Sequence, residues 1–200
     1  GACLAVLELS VEHDLSSLQT MYYGASPMSP ARLKQLRERF GEVFMQIYSA
    51  SEHAGATVSM SKEEHLPDRN GDESHLASAG RIVPGVELLI IDRQGRRMPQ
   101  GQDGEIWMRS RATCLGYLNA PDKTAEEFCN GYWKSGDFGR IDANGYVYVL
   151  DRVKDTILCN ERNVYPSLVE VALSAHPGVL MAAVVGITEL EARRRLPERR

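Results

Sequence analysis

The sequence predicts an α/β chain: strands and helices alternate first, a meander of short strands follows, and a smaller α+β unit closes. Three observations carry this. A helix with clear start and stop signals, Ser29 to Gly41, lies between two apolar strand-like runs. From Val86 onward, short apolar runs alternate with Gly-containing turns. Past a charged run at Asp151 to Lys154, one further helix and one further apolar run remain.

Each element has a local reason. Residues 4–9 are apolar and read as a short buried element. Thr20-Met21-Tyr22-Tyr23 is a β-rich run that ends in the turn Gly24-Ala25-Ser26-Pro27. Ser29 suits a helix N-cap, Pro30 the first helical position, and Gly41 the stop. Leu33, Leu36 and Phe40 share one face of that helix, with Arg and Lys on the other. Val43 to Tyr48 is an apolar strand leading into Ser49-Ala50-Ser51-Glu52. Glu63 to Ser78 is polar and loop-like.

Strands are then expected over Val86 to Asp92 and Glu105 to Arg109, and a short helix from Pro121 to Phe128. A turn places Asp137 after Ser135-Gly136. Ile141 to Leu150 reads as a hairpin about Asn144-Gly145, a pair that readily supplies positive φ angles. A polar loop spans Asn160 to Asn163. A helix over Ser167 to Ala175 and a strand over Val179 to Val185 complete the reading.

Composition narrows the class. The chain has 200 residues and is 43% hydrophobic, so a globular core can form. Its net charge is −4 and its basic residues are dispersed except at the end, which argues against nucleic acid as a partner. The bland reading of the Arg193–Arg200 tail is a solvated end. No apolar run reaches membrane-spanning length and no charged-then-apolar leader opens the sequence, so the cytosol is the expected compartment. Cys3, Cys114, Cys129 and Cys159 lie far apart, read as reduced and mostly packed, and show no metal-ligand spacing. The five histidines form no metal motif either. The opening on ACLAVLEL, already core-like, leads to the expectation of a piece of a longer protein.

Two stretches invite chemistry on their own terms. Gly24-Ala25-Ser26 follows a strand, and small residues there allow a flat ligand close to the backbone; a plain turn is the bland alternative. Gln46-Ile47-Tyr48-Ser49-Ala50-Ser51-Glu52 places an aromatic ring, hydroxyls and a carboxylate at a strand end, where α/β sheets bind ligands. Tyr48 as core, with Ser51 capping a helix and Glu52 in its first turn, is the alternative.

These stretches, in this order, resemble the adenylate-forming superfamily of AMP-dependent acyl-CoA synthetases. YGASP is similar to its glycine-rich segment, and QIYSASE to its QxYGxTE signature, with serine for glycine at Ser49 and for threonine at Ser51. LASAGRIVPGVELLIIDRQGRRMPQGQDGEIWMRS, LGYLNAPDKTAEEF, GYWKSGDFGRID, DRVKD and NVYPSLVE follow in the family's order, covering Leu15 to Ile187.

The resemblance implies residues 1–150 as the C-terminal part of a large AMP-binding domain, with a small β-barrel over about 80–150. Residues 151–200 would be a hinge and a truncated α+β C-terminal domain. It implies ATP-dependent activation of a carboxylic acid to an acyl adenylate, then transfer to a thiol, with ATP, Mg²⁺ and CoA as cofactors and co-substrate. Carried over by position, Gly24, Ala25, Ser26, Tyr48 and Ser49 would border the nucleotide. Ser51 would contact the α-phosphate and Glu52 would hold Mg²⁺. Asp137 and Arg152 would hold the ribose, and Lys154 would be the hinge.

Departures qualify this. The family's phosphate loop and its C-terminal catalytic lysine find no match, and Asn160-Glu161 replaces a glycine pair. The chain alone is therefore expected to be inactive, with an N-terminal half or a second copy as partner. A non-catalytic AMP-binding remnant and a pseudo-enzyme interaction module are the alternatives.

Overall fold

A computed structural model describes residues 14–25, 28–159, 162–174, 176, 178–179 and 181–187. The expected element at 4–9, Ser26, the Asn160-Glu161 pair, Ala175 and the Arg-rich tail lie outside the described residues. The chain divides into two compact units, Gly1–Val149 and Leu150–Arg200. No helix among the described residues is long and apolar enough to cross a membrane.

Among the described residues, the first unit opens with a four-stranded sheet in the order β1-β2-β3-β4. β1 (Met21–Gly24) pairs parallel with β2 (Phe44–Ala50). The crossover between them is α1 (Pro30–Phe40). Ser29 caps it by accepting from Arg32 N at 3.3 Å, and Gly41 ends it at φ 75° with its N–H on the Arg37 carbonyl. Leu33 and Leu36 of α1 bury against Phe44, Met60 and Leu76, with Phe40 partly buried beside them. β3 (His53–Met60) returns antiparallel along β2 and pairs with the short β4 (Arg81–Ile82). Sequence pattern did not reveal β3, because HAGATVSM alternates in polarity only over its last four residues. Between β3 and β4, the stretch read as a loop holds two 3₁₀ turns, Glu63–His65 and Ser74–Ala77, which bury His65 and Leu76.

A five-stranded antiparallel sheet follows, curled as a half-barrel. β5 (Glu87–Ile91), β6 (Gly104–Arg109) and β8 (Tyr132–Ile141) run side by side. Helix α2 (Pro121–Glu127) leads into β7 (Phe128–Cys129), and both β7 and β9 (Val147–Arg152) pair with β8. Asp137 was expected to follow a turn. It lies inside the ten-residue β8, where Gly136 at φ 68° sits next to the register shift between Glu105 and Trp107. Both a turn and a bulge use a positive φ, so the local signal is the same.

The hairpin at Asp142–Gly145 forms, but only Gly145 (φ 82°) takes the left-handed conformation and Asn144 does not. Asp142 Oδ1 accepts from Asn144 N and Tyr146 N, which makes this an Asp-anchored turn. The same device recurs at Asp92–Gly95 and Asp68–Gly71. A core of Val58, Ala79, Leu88, Ile90, Ile106, Met108, Trp133 and Val147 draws on both sheets.

The second unit holds the end of β9, the hairpin β10 (Ile157–Cys159) with β11 (Arg162–Val164), and α3 (Pro166–Ser174). Part of the expected polar loop is thus strand. Asp151 Oδ2 accepts from Ser167 N at 2.9 Å, anchoring the first turn of α3. The described residues of Val179–Val185 form no strand, since none of them finds a ladder partner. Among the described cysteines none is buried: Cys114 and Cys129 are half-buried and Cys159 is exposed, against the expectation of packed thiols.

Candidate functional site

The parallel pair β1–β2 sets the site, because both strands end on the same side. Gly24 stands opposite Ile47, and a Cβ there would run into the Ile47 carbonyl oxygen. Glycine is therefore required for the two backbones to approach. Ala25 follows at φ 64°, a left-handed conformation costing a non-glycine residue roughly 1–2 kcal/mol, and strain of this kind gathers at functional sites.

Tyr48, one residue further along β2, donates its phenol hydrogen to Asp137 Oδ2 at 2.6 Å. That length is typical of a charge-assisted bond. Asp137 is buried on β8, 9% exposed, and its N–H donates to Ser135 Oγ at 3.0 Å. Ser135 in turn donates to the Ile106 carbonyl at 2.7 Å. The bulge at Gly136 is thus braced on both sides, and it turns Asp137 toward the end of β2. Tyr48 is half-buried and packs on the core shared by the two sheets, so it is neither fully core nor free.

Ser49 Oγ lies 3.0 Å from the His53 carbonyl and also contacts the Gly55 carbonyl. Its hydroxyl is engaged with the backbone of β3. Ser51 and Glu52 form the two-residue turn between Ala50 and His53, a β-hairpin turn. No helix follows, so the alternative of Ser51 as a helix N-cap is ruled out. Ser51 is exposed and Glu52 half-buried.

Glu52 is held from the segment after β6. Cys114 N donates to its carbonyl at 2.8 Å, and the Tyr117 phenol donates to its Oε1 at 2.8 Å. His53 next to it is buried, within 2.7 Å of Ser110 Oγ and 3.2 Å of Thr57 Oγ1, as a structural clasp. The Tyr117 oxygen also contacts Glu127 Oε2, and Trp133 Nε1 lies 3.3 Å from both. Burial foremost, then the contacts with Glu127 and Glu52, pushes the Tyr117 phenol above its ordinary range. Burial pushes Glu127 up, but hydrogen bonds from Tyr117 and Trp133 and the charge of Lys123 outweigh it and leave Glu127 below its usual range. Sequence reasoning assigned these three residues no role. The sequence signal for Tyr117 and Glu127 is the run LGYLNAPDKTAEEF, and for Trp133 the run GYWKSGDFGRID.

Gly24, Ala25, Tyr48, Ser49, Ser51, Glu52 and Asp137 all belong to the first unit. The parallel pair gathers Gly24, Ala25, Tyr48 and Ser49 at one end, with Asp137 bonded to Tyr48. Arg152 and Lys154 belong to the second unit. Arg152 ends β9, and its carbonyl accepts from Asp155 N and Thr156 N. Lys154 is exposed in the following turn and lines an open cleft of about 400 Å³ with Asp151, Asp155, Ser167 and Glu170.

No group of three metal-ligating side chains occurs among the described residues. A single carboxylate still suits Mg²⁺, which is commonly held by one or two carboxylates together with substrate phosphates. Glu52 fits that donor type.

A parallel strand pair thus carries small residues and an aromatic toward its carboxyl end, joined to a buried aspartate on a half-barrel. Residues 2–118 match the family of AMP-binding enzymes, and the chain belongs to that family of adenylate-forming acid–thiol ligases.

Among its relatives is the medium/long-chain-fatty-acid–CoA ligase FadD8 of Mycobacterium tuberculosis. It is 39% identical over 173 residues, which are 86% of this chain and 29% of that protein. The fatty acid–[acyl-carrier-protein] ligase ScoC of Streptomyces coeruleorubidus is also 39% identical, over 86% of this chain and 33% of its own length. The o-succinylbenzoate CoA synthetase MenE of Bacillus subtilis, solved in complex with ATP and magnesium ion, superposes with a TM-score of 0.80 at 31% identity. The match covers 93% of this chain and 37% of that one. The amide bond synthetase McbA of Marinactinospora thermotolerans gives a TM-score of 0.80 at 38% identity, over 89% of this chain and 35% of its own. This chain thus spans about a third of the length of the relatives it matches.

Proposed function

We propose that this chain carries the nucleotide-contacting half of an enzyme that activates a carboxylic acid with ATP, forms an acyl adenylate and passes the acyl group to a thiol, CoA in the first instance. In this reading residues 1–150 are the C-terminal part of the large domain, with the barrel over about 80–150, and residues 151–200 the hinge and the start of the small domain. Tyr48 stacks on adenine beside Gly24, Ala25, Ser26 and Ser49. Asp137 accepts both ribose hydroxyls, with Arg152 in support. Ser51 meets the α-phosphate, Glu52 holds Mg²⁺, and Lys154 is the pivot between half-reactions. The bond between Tyr48 and Asp137 is the observation that carries the reading. It places an aromatic ring and a carboxylate from two sheets at one strand end, as a nucleoside needs.

The test is a thermal melt of the chain with and without AMP, beside Asp137→Ala. A ligand bound only by the folded state stabilises it by about 2.7 kcal/mol at a hundredfold excess over Kd. The expected result is an upward shift in the wild type that is lost in Asp137→Ala. A cooperative melt that AMP does not move refutes the proposal.

In a second reading, this chain binds AMP without turnover. ATP–pyrophosphate exchange separates the two: carboxylate-dependent exchange by this chain alone rejects the second.

A further inference from the structure

Around Tyr117, two carboxylates face one donor. The phenol has a single hydrogen, yet its oxygen lies 2.8 Å from Glu52 Oε1 and in contact with Glu127 Oε2. When ionised, both glutamates can only accept. Glu127 has reason to stay ionised: Trp133 Nε1 donates toward it at 3.3 Å and Lys123 Nζ stands 3.7 Å from its other oxygen. Whichever carboxylate the hydrogen leaves is turned toward an oxygen lone pair. On the Glu127 side the indole N–H offsets this. On the Glu52 side a cation would.

Tyr117 is itself fixed. Its backbone N–H donates to Thr124 Oγ1 at 2.8 Å, and Gly116 before it is closed in by the same Thr124 side chain. Lys123 covers its ring, 4.3 Å from the centroid. Helix α2 therefore holds the phenol from three positions, Lys123, Thr124 and Glu127, and the phenol holds Glu52.

We propose that Glu127 is a positioning residue for Glu52: it holds the Tyr117 hydrogen when Glu52 takes up a divalent cation, so that the phenol does not compete with the cation. No bond to hydrogen is broken; only the direction of the O–H changes. The proposal rests on the reading of Glu52 as the Mg²⁺ ligand. Without Glu127 as an ionised second acceptor, the phenol stays on Glu52, because a bond to a carboxylate is roughly twice as strong as one to an amide carbonyl. A cation must then displace it.

The test uses the full chain and thermal melts with AMP plus EDTA, ATP plus EDTA, and ATP plus Mg²⁺. Glu127→Gln preserves shape and removes the charge. It is expected to leave metal-free AMP affinity unchanged and to reduce the gain in ATP affinity on adding Mg²⁺ by about fivefold, the equivalent of one hydrogen bond. In a Tyr117→Phe background the same change is expected to have no effect, since the phenol that links the two carboxylates is gone. An undiminished Mg²⁺ gain in Glu127→Gln overturns the inference, and so does an effect that persists without the phenol. Both results leave the AMP site standing. A wild-type chain that AMP does not stabilise overturns the nucleotide reading, and this inference with it.

Discussion

Gly80 is the position where one methyl group should cost most. Its φ is +106°, and a Cβ built there would lie 2.5 Å from the Met60 nitrogen and closer still to the Ser59 carbonyl, backbone atoms of β3. The residue also stitches the two sheets together. Val147 N donates to its carbonyl at 2.8 Å, Ala79 N donates to the Val147 carbonyl at 2.8 Å, and Arg81 next to it pairs with Ser59. Gly80→Ala therefore adds backbone strain of roughly 1–3 kcal/mol to overpacking of about 1–3 kcal/mol against groups that cannot rotate away. Gly85→Ala is the internal control. Its φ is +87° but nothing lies within 4 Å of the added methyl, so it carries the strain alone. Urea titration at constant m-value measures both. Gly80→Ala is expected to lose about 1–3 kcal/mol more than Gly85→Ala, the part owed to the overlap with β3. Two variants within about 1 kcal/mol of each other would refute the argument that β3 cannot give way.

Other expectations concern charge, ring and core. Burial lowers the pKa of His65, partly opposed by its bond to the Ser61 carbonyl, so protonation favours the unfolded chain. Its contribution is fully present above the unfolded value near 6.5 and is lost as pH falls from there through the folded value, by up to about 1.4 kcal/mol per pH unit. Urea midpoints at pH 7.5 and 5.5 should therefore diverge in the wild type and converge in His65→Gln; equal slopes would sink the assignment. Tyr48→Phe keeps the ring and loses the bond to Asp137, so AMP affinity should fall by about tenfold or less, and Tyr48→Ala should fall further. AMP titration of the two variants decides, and equal losses would mean that the ring does not stack. Ile106→Ala and Leu36→Ala, both almost fully buried, should each cost about 2–5 kcal/mol in urea. Only Ile106→Ala, in the core that Tyr48 packs on, should also weaken AMP binding in the fraction that stays folded; equal AMP affinity in both would sever the site from that core.

What was legible in the sequence was chemistry confined to a few neighbouring residues. Ser29, Pro30 and Gly41 specify α1 because a cap and a stop involve only groups within one turn. The Asp142–Gly145 turn was legible for the same reason, although the aspartate and not Asn144 does the anchoring. β3 was illegible because its burial is conferred by β2 and by the half-barrel, and not by its own residues. Val179–Val185 failed in the opposite sense: apolar residues alone do not make a strand without a ladder partner. Tyr48 and Asp137 stand 89 positions apart, and no periodicity links them. The motif resemblance put both on the nucleotide. It could not reveal that they bond to each other, or that Tyr117 joins Glu52 to Glu127.

That bond is best understood as the polar edge of the core that joins the sheets. A 2.6 Å contact between β2 and β8 tolerates little relative movement of the strands that bear it. Three features hold the distance: Gly80 against β3, His53 between Thr57 and Ser110, and Val58 and Ala79 packed with Ile106, Met108 and Trp133. None of these residues is placed to touch a nucleotide in the proposed site, yet each fixes the spacing of groups that would. A bond between neighbours on one strand would need no such support. Because this one crosses from sheet to sheet, the affinity of the site is tied to the packing between the sheets, and changes along that packing should be felt by the ligand before the fold is lost.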